Sequence, residues 1–243
     1  PPDSMLALER RARADTVSAQ NLLHSQGYYD GTASFEIDKQ SSPAGVVLTL
    51  LPGKRYSLGR ADVYYDPEPV IPQYFRNRTR EVGFWGLETE SVPPPTFPTV
   101  LPGVAIGKPI AADDLLAAVN ALPEALRRQG YPMAKVADTS YTLDREASKL
   151  NADILVRPGP PALMGRIEVR GAKDVNAEYI QRLAPWTDAE EPWNSDMVED
   201  YANKLRALGL FRTVEAKALE DQLASGAGRD GAAVLPLEVT VAE

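Results

Sequence analysis

The residues able to do side-chain chemistry are few. The 243-residue chain holds one histidine, His24, and no cysteine. Thiol nucleophiles, disulfides and zinc–thiolate sites are excluded, and one histidine cannot build a His-rich metal centre. His24 lies near the end of a helical pattern, and no nucleophile-elbow sequence accompanies it, so nothing suggests a Ser-His-Asp arrangement. Two acidic runs could ligate a hard cation. Asp113-Asp114 stands where a helix begins and is expected to cap it. Asp188-Ala189-Glu190-Glu191 is expected to be a solvated acidic loop. The glycine-rich run from Ser225 to Gly231 lacks the preceding strand, the following helix and the Lys-Ser/Thr ending of a phosphate cradle, and is expected to be a hairpin loop. No catalytic, cofactor or metal residue emerges, and catalysis is not expected.

Three junctions organise the elements: Gln26-Gly27-Tyr28-Tyr29, Gln129-Gly130-Tyr131-Pro132 and Leu208-Gly209-Leu210-Phe211. Each closes an amphipathic helical pattern with a glycine, which accepts the left-handed conformation past a last turn. Each is followed by two alternating, strand-like runs. The first helix is expected from Met5 to Gln26, and its strands at 33–38 and 46–51. A new strand follows over 56–65. The second helix starts at Asp113-Asp114, carries Leu115, Leu116, Val119, Leu122 and Leu126, and should kink or break at Pro123. Its strands are 135–143 and 150–156. The last stretch reads strand, short helix (176–183), helix capped by Asn194 or Ser195, then strands at 211–219 and 235–241. That order is β-α-α-β-β. Laying Pro52-Gly53 on Pro158-Gly159 without gaps brings Gly59-Arg60 onto Gly165-Arg166 and Val63 onto Val169, the mark of a repeated unit.

Residues 66–108 are the least regular, with eight prolines including Pro93-Pro94-Pro95. Residues 73–81 are expected to form a short helix there. The triple proline could dock into an aromatic groove of a partner, or the segment could pack on its own domain through Phe84, Trp85 and Phe97. The formal net charge of −8 argues against nucleic acid as the main partner. No run approaches the ~18 apolar residues of a transmembrane helix. The chain opens on Pro1-Pro2-Asp3 with no signal-peptide pattern, and no strand precedes its first helix, so an excised or processed fragment is expected.

These residues resemble POTRA (polypeptide-transport-associated) domains, found in tandem before the β-barrel of outer-membrane protein assembly factors. The resemblance rests on the β-α-α-β-β order, Val169-Arg170-Gly171 after a first strand, Leu205-Arg-Ala-Leu-Gly-Leu-Phe211 at the end of a second helix, and Pro-Gly after last strands. Within that family it is most similar to the translocation and assembly module subunit type (TamA-like), where three units precede the barrel. It implies an α+β fold of tandem units, each a small mixed three-stranded sheet packed on two helices. The units would be 1–55, lacking its opening strand, 56–160, carrying the insertion 66–108, and 161–243.

The implied function is a non-catalytic periplasmic scaffold, tethered to the outer membrane through a β-barrel that continues the same chain. In the family the second strand of each unit is a sheet edge, and an edge offers its N–H and C=O groups to an incoming extended chain. The candidate polypeptide-binding residues are therefore Phe35 and Ile37, Val136 and Tyr141, and Val214 and Ala216. The implied partners are unfolded outer-membrane or autotransporter polypeptides and a periplasm-spanning protein. No cofactor and no nucleic acid are implied. The alternative is a POTRA-like module of a division or two-partner secretion system, with a mainly structural, partner-positioning role.

Overall fold

The computed structural model describes residues 4–40, 44–76, 78–82, 88–223, 228 and 232–243. Helix α1, Met5–Ser25, starts where the Ser4 hydroxyl accepts the Ala7 N–H at 3.2 Å, a side-chain N-cap. It packs against an antiparallel hairpin of β1, Thr32–Asp38, and β2, Gly45–Leu51. Strand β3, Ser57–Tyr65, is followed by the four-residue helix α2, Gln73–Arg76, and by an antiparallel pair, β4 (Arg78–Val82) and β5 (Glu88–Val92). Then come α3, Ala112–Arg127, β6, Lys135–Asp144, and β7, Lys149–Arg157. The remainder is β8, Ala162–Arg170, α4, Ala177–Arg182, α5, Ser195–Ala207, β9, Thr213–Ala218, and β10, Ala233–Ala242. The fold is α+β.

Two three-stranded sheets share one order: first strand, last strand, second strand. They are β3-β7-β6 and β8-β10-β9. In the second, β10 runs parallel to β8 and antiparallel to β9, so the sheet is mixed. The chain divides into two compact units. One holds Pro1–Val63, Val100–Asn120 and Thr139–Ile154; the other holds Tyr64–Thr99, Ala121–Asp138 and Leu155–Glu243.

In the first unit, Tyr56, Leu58, Leu115, Val119, Leu150 and Ile154 are buried. The Tyr56 hydroxyl donates to Asp30 at 2.7 Å, and Arg145 pairs with the other oxygen of that carboxylate at 2.8 Å. Donation to the Asp30 carboxylate, reinforced by burial, holds the Tyr56 phenol above its ordinary range. In the second unit, Ile180, Trp193, Tyr201, Leu205, Leu235, Leu237 and Val239 form one core with Met164 and Ile167. The Tyr201 hydroxyl donates to the Ile180 carbonyl at 2.7 Å, giving the one polar atom of a buried ring its partner.

The repeated junction has a physical basis. Gly27, Gly130 and Gly209 all take positive φ, at 88°, 101° and 68°. The Gly27 carbonyl accepts the Tyr56 N–H at 2.8 Å, and the Gly130 carbonyl accepts the Ala162 N–H at 2.9 Å. Thus the glycine that ends a helix also receives the first residues of the next opening strand. Gly165, which the internal match aligns with Gly59, lies against a bulge in β10 where the register shifts around Pro236. A proline in a central strand is tolerated at such a bulge, and a Cβ on Gly165 would come within 2.7 Å of the Leu235 carbonyl.

Three expectations are corrected. The helix begins at Ala112, so Asp113 and Asp114 lie in its first turn and meet the helix dipole rather than acting as N-cap. Helix α3 does not break at Pro123, because burial of Leu115, Val119, Leu122 and Leu126 outweighs one missing N–H. Residues 73–81 do not form one helix; α2 stops at Arg76, and β4 starts at Arg78. The Pro-rich insertion, though the least regular stretch, contains the β4–β5 pair. Phe84, Trp85 and all of the Ser225–Gly231 run except Gly228 lie outside the described residues.

The last carboxylate is held by main chain. Glu243 accepts the N–H groups of Lys173, Asp174 and Val175 at 3.0, 2.8 and 3.0 Å. These bonds favour its charged form and lower its pKa. The lowered value means the stabilisation is present above the ordinary pKa of 4.5 and lost as pH falls through the folded value. Glu243→Gln should therefore reduce the stability difference between pH 7 and acid, measured by urea unfolding. Gly165→Ala should destabilise by about 1–3 kcal/mol through overpacking, read from the same denaturation midpoint at neutral pH.

Candidate strand-edge binding site

Strand edges carry backbone groups that require partners, so the site is best built by accounting for those groups. The outer side of β3 is occupied. Leu58 donates to the Lys108 carbonyl at 2.9 Å and accepts from Gly107 at 2.6 Å; Leu101 donates to the Ala61 carbonyl at 2.8 Å. Isolated bridges join Ser57 to Pro109 and Asp62 to Val100. The end of the Pro-rich insertion, residues 100–109, therefore lies along β3. The outer side of β8 is occupied too. Met164 donates to Glu191 at 2.7 Å and accepts from Ala189 at 2.8 Å; Ala162 accepts from Trp193 at 2.9 Å. A bridge joins Leu163 to Pro192. Both opening strands are thus edged by a loop of the chain.

The second strands differ. Each has one strand neighbour in its sheet, β7 for β6 and β10 for β9. Alternation in an antiparallel pair fixes which residues of β9 face outward. Leu219 donates to Pro236 at 2.9 Å in the β9–β10 register, so 213, 215 and 217 turn their backbone groups toward β10. Val214, Ala216 and Ala218 turn theirs away from it.

The residues singled out from sequence fall on three strands of three sheets and do not converge on one pocket. Phe35 and Ile37 are half-buried on β1, opposite Leu48 and Val46. Val136 is half-buried and Tyr141 is 46% exposed on β6. Val214 is buried and Ala216 half-buried, so β9 offers an outside strand its main chain rather than these side chains.

Tyr141 and Leu143 of β6 line an apolar cavity of about 400 Å³ with Ala112, Leu115, Leu116, Leu150 and Tyr29. Burial, with Tyr141 close by, raises the Tyr29 pKa. The long spacing between these positions hid the cavity from sequence reading. A second cavity, of about 640 Å³, is lined by the triple proline, Phe75, Pro185, Trp193 and Met197 among others. Around it the insertion packs on its own chain. Phe97 meets Tyr65 and Tyr131 edge-on, at 5.6 and 5.2 Å between ring centres, and the Thr96 N–H donates to the Gln129 side chain at 2.7 Å. Burial pushes the Tyr65 phenol up to about 12. Among the described residues, no group of three His, Cys, Asp or Glu side chains could hold a metal ion, and no helix is long and apolar enough to cross a membrane.

No protein-family model and no curated protein matches the sequence. Solved structures do. The fold is similar to POTRA domains 3–5 of Haemophilus influenzae BamA, with a TM-score of 0.53 and 15% identity over 95% of this chain and 80% of that one. It is also similar to BamA from Haemophilus ducreyi lacking POTRA domains 1–3, with a TM-score of 0.51 and 14% identity, covering 77% of this chain and 29% of that chain. The fold is that of POTRA domains.

Amide hydrogen exchange tests the edge accounting. The Leu58 and Met164 amides should exchange far more slowly than the outward-facing Ala216 amide. Equal protection at all three would show that β9 is covered as well.

Proposed function

We propose that this chain is the periplasmic, non-catalytic part of an outer-membrane protein assembly or secretion factor, and that it takes up extended polypeptides by strand addition at β6 and β9. One observation carries the reading: loops of the chain occupy the outer sides of β3 and β8, while β6 and β9 keep a single strand neighbour. POTRA domains of BamA share this fold. In this reading the repeats are 1–55, 56–160 with the insertion 66–108, and 161–243. The chain is TamA-like, with a β-barrel of the same polypeptide holding it at the outer membrane. Its partners are unfolded outer-membrane or autotransporter polypeptides and a protein that spans the periplasm.

The energetics suit transient capture. Ladder hydrogen bonds contribute about 1 kcal/mol each net, so a short added strand binds weakly and reversibly. Main-chain bonding tolerates many sequences. The apolar cavity beside Tyr141 and Leu143 would accept alternate side chains of a strand on β6.

Proline substitution tests this directly. Ala216→Pro removes an outward N–H from β9 without touching the bonds to β10, and Tyr141→Pro removes a backbone donor from β6 beside the apolar cavity. With folding verified by circular dichroism, the double variant should lose most of its affinity for a peptide of alternating valine and threonine flanked by lysine pairs. Unchanged affinity in the folded double variant overturns strand addition at these edges.

A further inference from the structure

The start of the β9 edge carries a cation that no carboxylate neutralises among the described residues. Arg206, on the last turn of α5, donates from Nη2 to the Val214 carbonyl at 3.0 Å and from Nη1 to the Asn203 side-chain oxygen at 2.7 Å. Val214 is one of the residues whose backbone faces away from β10, so Arg206 sits on the open edge itself. Both acceptors are neutral. Among the described residues, Arg206 forms no ion pair.

The repeat makes this departure visible. Arg127 holds the matching position, three residues before the closing glycine, Gly130, as Arg206 stands three before Gly209. Arg127 also reaches a backbone carbonyl past its junction, that of Ala134 at 2.9 Å. Its charge, however, is paired with Glu124, three residues earlier on α3. The residue at that spacing from Arg206 is Asn203. One helix thus neutralises this arginine internally, and the other leaves it without a charged partner among the described residues.

A strand adding to β9 must give the Val214 carbonyl a new donor and displace Arg206. A neutral strand breaks that charge-assisted bond and offers the guanidinium nothing in return. A strand with a carboxylate beside Val214 offers a bidentate partner, while its own N–H takes over the carbonyl. We propose that Arg206 makes the β9 edge selective for extended polypeptides bearing an aspartate or glutamate side chain at the position that meets Val214. This rests on strand addition at β9 and names the chemistry of the segment bound there.

The test uses the alternating valine–threonine peptide, with one glutamate moved through its positions and the matched glutamine series, each made with an amidated and with a free C-terminus. Titration of the whole 243-residue chain at low ionic strength should show one glutamate position favoured about tenfold over glutamine, with the preference shrinking as salt is added. Arg206→Ala should bring that ratio close to one. Asn203→Glu, at an exposed site, restores the internal pairing seen on α3 and should also abolish the preference while the melting temperature stays near that of the parent. Arg206→Lys should keep part of it, because the charge remains and the fork is lost.

A glutamate preference that survives Asn203→Glu overturns the inference. Equal binding of the glutamate and glutamine peptides overturns it while leaving strand addition standing. If a free terminal carboxylate, and no glutamate position, confers the preference, the occupant is a chain end and the inference falls. If none of the peptides binds, strand addition falls with it.

Discussion

A three-stranded sheet has two edges, and the backbone groups along them must find partners. That constraint governs this chain. The outer groups of β3 are met by residues 100–109 and those of β8 by residues 189–193, through bonds of 2.6–2.9 Å. The two loops share little sequence beyond a proline, Pro109 and Pro192, bridged to Ser57 and Leu163, yet they do the same job at the same strand of the shared order. The Pro-rich stretch therefore has a structural role. Its last residues serve as an edging strip, and its Phe97 and Thr96 anchor it to Tyr65, Tyr131 and Gln129. Prolines suit an edging segment because they donate no hydrogen bond and do not invite a further strand.

Where a loop closes one edge of a three-stranded sheet, the strand at the other edge, β6 or β9, keeps a single strand neighbour. Main-chain groups provide attraction without much discrimination. What differs between the two strands lies around them: an apolar cavity next to β6, built from Leu115, Leu116, Tyr141 and Leu143, and a cation at the head of β9. The same three-residue spacing that pairs Arg127 with Glu124 leaves Arg206 against Asn203. Two junctions of similar build thus differ in charge through one helical neighbour.

The closing glycines connect these parts. Positive φ at Gly27, Gly130 and Gly209 reverses the chain after each helix. At the first two, the glycine carbonyl then accepts the N–H of the residue opening the next repeat. A side chain at Gly130 would also run into the Phe75 ring. One residue type therefore satisfies a helix end, a strand start and a packing contact.

Much of the skeleton was legible in the sequence because its signals are local. Glycine after an amphipathic helix, period-two alternation and Asn194 ahead of a polar turn each act within a few residues, and they located α1, α3, α5 and the strand pairs that follow them. The recurrence of Gly59 and Gly165 at equal distance from a Pro-Gly pair marked the repeat, and the structure gives the reason at Gly165: close approach to the last strand. Pro123 misled, because a local penalty was weighed without the burial that offsets it. The β4–β5 pair escaped notice because its strands show no alternating apolar pattern. Which edge is closed, and by what, depends on hydrogen bonds such as Leu58 to Lys108, fifty residues apart, and no local pattern encodes them. The sequence by itself determined most of the elements and the glycine junctions between them. Only the tertiary structure decided which backbone groups are spent inside the fold and which face outward, because that assignment is made by contacts between residues distant in the chain.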